Sequence, residues 1–226
     1  MRKHIIWLFN YLLIISSFLI AHPVQDDTTG TSYFKIVDSH ITISGTSSVR
    51  DWTVTTSTVS EFGGSKSILK LFTDNPYNLL ILDEALAGSF LRFPVKKLDS
   101  GIRIMNQTML EHLKEEQHPE IGYKILGISN AESDTYREGC YLLTIFAAAD
   151  AAGVFHEIEH DVSMCLYNLK GNDNSHRKKI RLSGELELKM TDFGIDTPTF
   201  MGGTLKTGDA IQVGYDLKLE LPHNGN

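Results

Sequence analysis

Hydrophobic and polar residues alternate with a period of two along most of this chain. Successive side chains of a β-strand point to opposite faces of a sheet, so the alternation predicts strands with one buried face. Clusters of Gly, Asn, Asp or Ser separate these runs and supply turn residues. The alternating runs are residues 34–36, 41–43, 49–59, 68–72, 86–95, 121–128, 141–147, 158–166, 180–190 and 211–221. Many short strands with turns between them indicate an all-β fold, either an antiparallel sandwich or a barrel.

One segment has the spacing of a helix instead. Met109 and Leu113 are four residues apart and would share one helical face. Asn106 is a suitable N-cap, and Pro119 stops the helix because the residue before a proline is pushed out of the helical region. The sequence therefore predicts one short helix near residues 108–116, placed where it can cover one end of a barrel.

The N-terminus has the pattern of a secretory signal peptide. Arg2 and Lys3 precede a largely apolar run that ends at Ala21, which predicts a signal peptide over residues 1–21. The alternative is an uncleaved anchor, because the apolar run approaches the ~17 residues that can span a bilayer. After cleavage we expect no stable membrane insertion. The remaining chain divides into a polar lead-in at 22–32, one domain at 33–222 and a tail at 223–226.

Composition and charge narrow the choice of partners. The chain has 226 residues and a net charge of −7. One domain of this size can bury a real core. Nucleic acid is not an expected partner, because binding a phosphate backbone needs clustered Lys and Arg.

The pentapeptide from His156 to His160 matches the H-E-x-x-H motif of zinc hydrolases. On a helix, the two histidines would share one zinc ion, with Glu157 as the general base. However, the period of two continues through this motif, which predicts a strand. On a strand the two histidines would lie ~13 Å apart, too far for one zinc. We therefore expect no metal here and interpret His160 as a satisfied polar group on the inner face or as part of a ligand pocket.

The segment 191–209 is acidic and is punctuated by Gly and Pro. It carries Phe193, Phe200 and Met201 on a backbone loosened by glycines. It offers no nucleophile, phosphate loop or metal cluster. It therefore suits a loop that closes over an apolar ligand better than a catalytic loop.

Several pieces of the sequence, taken in order, resemble the YceI-like family of polyisoprenoid-binding, lipocalin-like domains in bacterial exported proteins. The resemblance covers most of the chain after the signal peptide. The matching pieces are Ile43-Ser-Gly-Thr-Ser-Ser-Val-Arg-Asp-Trp52, Phe93-Pro-Val-Lys-Lys-Leu-Asp-Ser-Gly101, Met105-Asn106, Met109 and Leu113-Lys114 with His118-Pro-Glu-Ile121, Leu143-Thr-Ile145 with Gly153-Val154, and Phe200-Met-Gly-Gly-Thr-Leu-Lys-Thr-Gly-Asp209. The chain departs from the family pattern at 146–152, where an Ala-rich and longer turn is expected.

This resemblance implies an antiparallel lipocalin-like barrel of about eight strands around one elongated apolar ligand. The implied ligand is an isoprenoid lipid, either a polyprenyl chain or a quinone-type tail, and no cofactor or chemistry beyond it. The implied location is the periplasm of a Gram-negative bacterium or the exterior, and a homodimer is compatible with the sequence. A structural β-domain with a filled core remains the alternative. The inward candidates for ligand contact are Phe93, Val95, Met105, Met109, Leu113, Tyr123, Ile125, Leu143, Ile145, Phe193, Phe200 and Met201.

The two cysteines are expected to face each other across a hairpin. With its centre at about 152–153, Cys140 and Cys165 are equally far from the turn, on the outward face. Cross-strand neighbours have Cβ atoms ~4.5 to 5.5 Å apart, whereas a disulfide needs ~3.5 to 4.5 Å. Adjacent thiols and a strained, reducible bridge both remain open.

Overall fold

Strands dominate the computed structural model, which describes residues 34–73, 78–170, 176–200 and 205–221. The predicted signal peptide, the lead-in and the tail lie outside these residues. The strands are β1 (Lys35–Ser47), β2 (Trp52–Thr56), β3 (Glu61–Gly63), β4 (Phe90–Pro94), β5 (Glu120–Ser133), β6 (Cys140–Ala151), β7 (Val154–Lys170), β8 (His176–Lys189), β9 (Thr199–Phe200) and β10 (Leu205–Glu220).

All the strands belong to one antiparallel sheet that curls around an apolar interior. Its order is β2-β1-β10-β8-β7-β6-β5-β4-β3, and β9 pairs with β10. A bridge between Thr55 and Asp99 ties the β2 edge to the segment after β4. The predicted all-β, lipocalin-like architecture is confirmed. The described residues form ten strands, against an expectation of about eight, because strands as short as β3 and β9 leave no alternating pattern in the sequence.

The β6–β7 hairpin follows the predicted register. Ala152 and Gly153 have φ angles of 53° and 80°, as a two-residue type I′ turn requires. Ala151 therefore pairs with Val154, and β6 runs unbroken to the turn. The hairpin centre at 152–153 is confirmed, whereas the expected longer turn at 146–152 is wrong, since those alanines belong to the strand.

A disulfide joins Cys140 to Cys165, which are directly opposite in the hairpin. Their Cα atoms are 4.0 Å apart, closer than the usual ~4.5 to 5.5 Å of opposed residues in an antiparallel pair. This approach brings the two sulfur atoms within bonding distance, so the bridge is the alternative that the fold adopts. Both cysteines are buried, although they lie on the face turned away from the interior.

The predicted helix exists but begins earlier than expected, as α2 (Arg103–His112). Asn106 is not its cap; it lies inside the first turns and accepts hydrogen bonds from the Ser100 amide and hydroxyl, at 2.8 and 2.6 Å. The helix ends before Lys114, which adopts a φ of 53°. Residues 113–116, which were predicted to be helical, therefore lie outside the helix.

Two further helices were not predicted from the sequence, and one of them replaces a predicted strand. Lys66–Phe72 is a 3₁₀ helix in which Ile68 and Leu71, one turn apart, are both buried, so the strand predicted at 68–72 is wrong. The helix α1 (Leu79–Leu86) begins at Asn78, whose side chain accepts from the Leu80 amide. Strand β4 consequently starts at Phe90 and not at 86. Across the described residues, every helix is too short or too polar to cross a bilayer.

Candidate functional site

The curled sheet encloses a cavity of about 880 Å³. Apolar side chains on the inward rows of the strands form most of its wall. The inward row of β6 contributes small residues, Ala149 and Ala151, and so leaves space where larger residues would fill the interior. This volume lies toward the upper end of the ~300 to 1,000 Å³ that is usual for small-molecule pockets.

One end of the cavity, called here the closed end, is covered by α1 and the 3₁₀ helix. Asp83 of α1 accepts a hydrogen bond from the Ile128 amide, far along β5. Ile68 and Leu86 line the cavity from these helices and are themselves almost fully buried. The protein therefore shields this end of the cavity from solvent.

The opposite end is called here the mouth. It is formed by α2, by the β1–β2 turn and by the segment after β8. Val49 and Ile104 line the cavity here, yet they are 67% and 64% exposed. Arg50, Asp51 and Lys206 also line this end. Among the described residues, the cavity is thus an apolar pocket that opens at this end, where an elongated ligand could enter.

Most of the predicted contact residues that the structure describes line this cavity. They are Phe93, Met105, Met109, Leu113, Tyr123, Ile125, Ile145 and Phe193.

Two predicted residues are buried in the protein and do not line the cavity. Val95 begins a short 3₁₀ turn and its amide donates to the Pro119 carbonyl. Leu143 shares the inward row of Ile145 but lies further toward the closed end, within the packed core. The Phe200 side chain and Met201 lie outside the described part of the chain.

The prediction missed the inward rows of the strands on the other side of the cavity. These residues include Ile41, Ile43, Val54, Leu186, Leu188, Ile211, Val213, Tyr215 and Leu217. Their alternation was visible in the sequence and marked them as inward. It carried no information on whether inward residues pack against each other or face an open space.

A polar pair adjoins the apolar wall: Tyr123 lines the cavity, whereas its partner His160 is buried and is not among the lining residues. The Tyr123 hydroxyl lies 2.7 Å from His160 Nε2, and His160 Nδ1 lies 3.3 Å from the Asp161 carbonyl. A carbonyl only accepts, so Nδ1 carries the proton and Nε2 accepts from the Tyr123 hydroxyl. Burial lowers the pKa of His160 and raises the pKa of Tyr123, so both groups are neutral.

Tyr215 completes this cluster from β10, which is separated from the His160 strand, β7, by β8. Its ring packs edge-on against the His160 ring, with centroids 6.0 Å apart. The neighbouring β8 residue is Gly184, where a Cβ atom would lie 2.6 Å from the Tyr215 hydroxyl. Glycine at this position therefore makes room for the Tyr215 hydroxyl on the inner side of the sheet.

The H-E-x-x-H segment lies on β7, as predicted, and not on a helix. His160 bonds to Tyr123, whereas His156 lies near the mouth, 3.7 Å from Asp192. Four residues of strand separate their Cα atoms by about 13 Å. Within the described residues there is no group of three or more His, Cys, Asp or Glu side chains arranged to hold a metal ion.

Comparison with solved structures shows the fold to be similar to that of two known proteins. A polyisoprenoid binding domain from Saccharophagus degradans superimposes with a TM-score of 0.56 at 13% identity, over 85% of this chain and 100% of that domain. BcnA from Burkholderia cenocepacia does so with a TM-score of 0.53 at 12% identity, over 80% of this chain and 95% of that protein. No protein-family model and no curated protein matches the sequence. At such identities the likeness establishes the fold alone.

Proposed function

We propose that this chain is an exported, non-enzymatic binding protein that holds an isoprenoid lipid in its barrel. The observation that carries the proposal is the apolar cavity of about 880 Å³, shielded at one end and open at the other. A polyprenyl chain or a quinone-type tail is long and apolar, and this cavity has a matching shape and chemistry. The polyisoprenoid binding domain with the same fold supports this choice of ligand.

Burial of apolar surface supplies the driving force for binding. Each Å² of apolar surface removed from water contributes about 25 cal/mol, so a long hydrocarbon chain needs few polar contacts. The wall also contains Met105 and Met109, flexible side chains that adapt to ligands of varied shape. The alternative of a structural domain with a filled core accounts less well for an open interior.

The disulfide supports the proposed location outside the cytoplasm. Stable structural disulfides form in oxidising compartments, such as the periplasm or the exterior. The bridge between Cys140 and Cys165 is buried and joins two central strands, so it belongs to the folded domain. This agrees with the signal peptide expected at residues 1–21.

Filling the cavity tests the proposed function. Ala149 faces the cavity, and Ala149→Phe should occupy the space that the lipid needs. We expect the delipidated variant to remain folded by circular dichroism and to bind a long-chain polyprenol or quinone at least about tenfold more weakly, about 1.4 kcal/mol.

The matched control is Ala148→Phe, on the other face of the same strand and not part of the cavity wall. It should bind like wild type. Equal lipid affinity in both variants would show that the cavity is not the binding site.

A further inference from the structure

Ser89 carries a buried hydroxyl group that has no partner in the protein. The residue is 3% exposed, and among the described residues its Oγ is the only buried side-chain oxygen or nitrogen without a hydrogen bond. Its backbone is fully paired: the amide donates to the Leu86 carbonyl and the carbonyl accepts from the Ile125 amide. A buried hydroxyl without a partner destabilises a protein, so a hydroxyl in this state points to a partner that the protein does not supply.

Ser89 belongs to the cavity wall, near the closed end. Ser89 and Leu86 both line the cavity, and Ser89 directly follows α1. Its pairing with Ile125 puts it in the same inward row as Leu91 and Tyr123.

Protein atoms surround the Ser89 hydroxyl on the side away from the cavity. A Cβ atom at Gly64 would lie 2.9 Å from Ser89 Oγ and 2.5 Å from the Phe34 ring. Gly64 and Phe34 thus pack against Ser89 and offer its hydroxyl no acceptor through their side chains. Ser89 also lines the cavity, so rotation of its side chain about the Cα–Cβ bond would turn the hydroxyl away from Gly64 and toward an acceptor on a ligand there.

We propose that Ser89 Oγ donates a hydrogen bond to an oxygen atom of the bound lipid. The ligand is then an oxygenated isoprenoid, with a carbonyl or hydroxyl oxygen on the end that reaches the closed end of the cavity. This inference rests on the proposed function and adds to it a ligand class and an orientation. A purely hydrocarbon end would leave the Ser89 hydroxyl unpaired in the complex as well.

The test compares two C20 isoprenoids of the same skeleton, an alcohol and a hydrocarbon, as ligands for the delipidated protein. Ser89→Ala should weaken binding of the alcohol about tenfold and leave binding of the hydrocarbon unchanged. Each probe is compared with itself in wild type and variant, so the different solubilities of the two probes cancel when the two affinity ratios are compared. Thr108→Val removes a hydroxyl from the cavity wall on α2, at the mouth, and should affect both probes equally.

Each other outcome decides against the inference. If wild type binds both probes and Ser89→Ala changes both equally or neither, the ligand oxygen does not reach Ser89, while the proposed function stands. A selective loss for the alcohol in Thr108→Val would place the oxygen at the mouth. If wild type binds neither probe, the proposed function fails together with this inference.

Stability provides a second, independent readout. In the delipidated protein Ser89→Ala removes an unpaired polar group and leaves the backbone hydrogen bonds in place. The variant should therefore unfold at the same temperature as wild type or a higher one. A lower unfolding temperature would show that the hydroxyl already has a partner within the protein and would contradict the proposal.

Discussion

His160 is a buried imidazole next to the apolar cavity wall, and its hydrogen bonds fix its protonation. The Tyr123 hydroxyl donates to Nε2, and the Asp161 carbonyl accepts from Nδ1. Burial lowers the pKa of His160, and Tyr123 and Tyr215 around it are neutral phenols whose pKa values burial raises. A proton taken up by His160 would place a positive charge in the apolar interior, which the fold disfavours.

This arrangement makes stability depend on pH in a defined direction. An unfolded chain takes up the proton of this histidine near its ordinary pKa of about 6.5, whereas the folded protein holds His160 neutral to lower pH. Stability contributed by this group is therefore present above about pH 6.5 and is lost as the pH falls below that value.

His160→Gln should remove this component, because the glutamine oxygen can still accept from Tyr123 and does not titrate. We expect the free energy of unfolding, measured by denaturant titration, to fall less steeply in the variant between about pH 7 and pH 5. Identical slopes in wild type and variant would contradict a neutral, buried His160.

At the residue scale, the sequence predicted well which side chains face the inside of the barrel. It predicted less well which of these inward side chains line the cavity. Ile145 and Leu143 have the same alternation in β6, yet only Ile145 lines the cavity. The difference depends on where α1 and the 3₁₀ helix cover the barrel. That packing joins residues distant in sequence, so a local pattern could not reveal it.

At the scale of elements, the long strands were predictable and the short helices were not. The strict alternation and the Ala152–Gly153 turn fixed the β6–β7 register, and with it the pairing of the cysteines. The 3₁₀ helix Lys66–Phe72 is only seven residues long, and a run that short is ambiguous between strand and helix. In α1, the burial of Leu82 and Leu86 follows a four-residue spacing that could have indicated a helix.

The disulfide offers a test at this scale. Cys140 and Cys165 are separated by 25 residues, and cross-linking a loop of that size destabilises the unfolded chain by about 3.5 kcal/mol. The double variant Cys140→Ala/Cys165→Ala should lower the free energy of unfolding by about this amount, measured by denaturant titration.

A reductant should lower the free energy of unfolding of wild type by about the same amount. It should leave the free energy of unfolding of the double variant unchanged. Equal stability of oxidised wild type and double variant would show that the bridge does not contribute to the fold.

At the scale of the whole molecule, the open interior depends on small residues on the inner side of the sheet. Ala149 and Ala151 on β6 leave space where leucine or phenylalanine would reach across. Whether inward rows meet or leave a cavity depends on the strand number and tilt of the barrel. These are global quantities, so the sequence predicted a barrel around a ligand only through its resemblance to a family.

The most direct measurement for the central claim is native mass spectrometry of the protein after extraction with organic solvent and titration with a polyprenol or long-chain quinone. The account predicts a wild-type complex with one lipid per chain. Met109→Asp should abolish the complex, because an unpaired carboxylate in the cavity wall disfavours an apolar ligand. Leu142→Asp, exposed on the outward face of β6, should bind like wild type. A wild-type protein that takes up neither lipid would contradict the account.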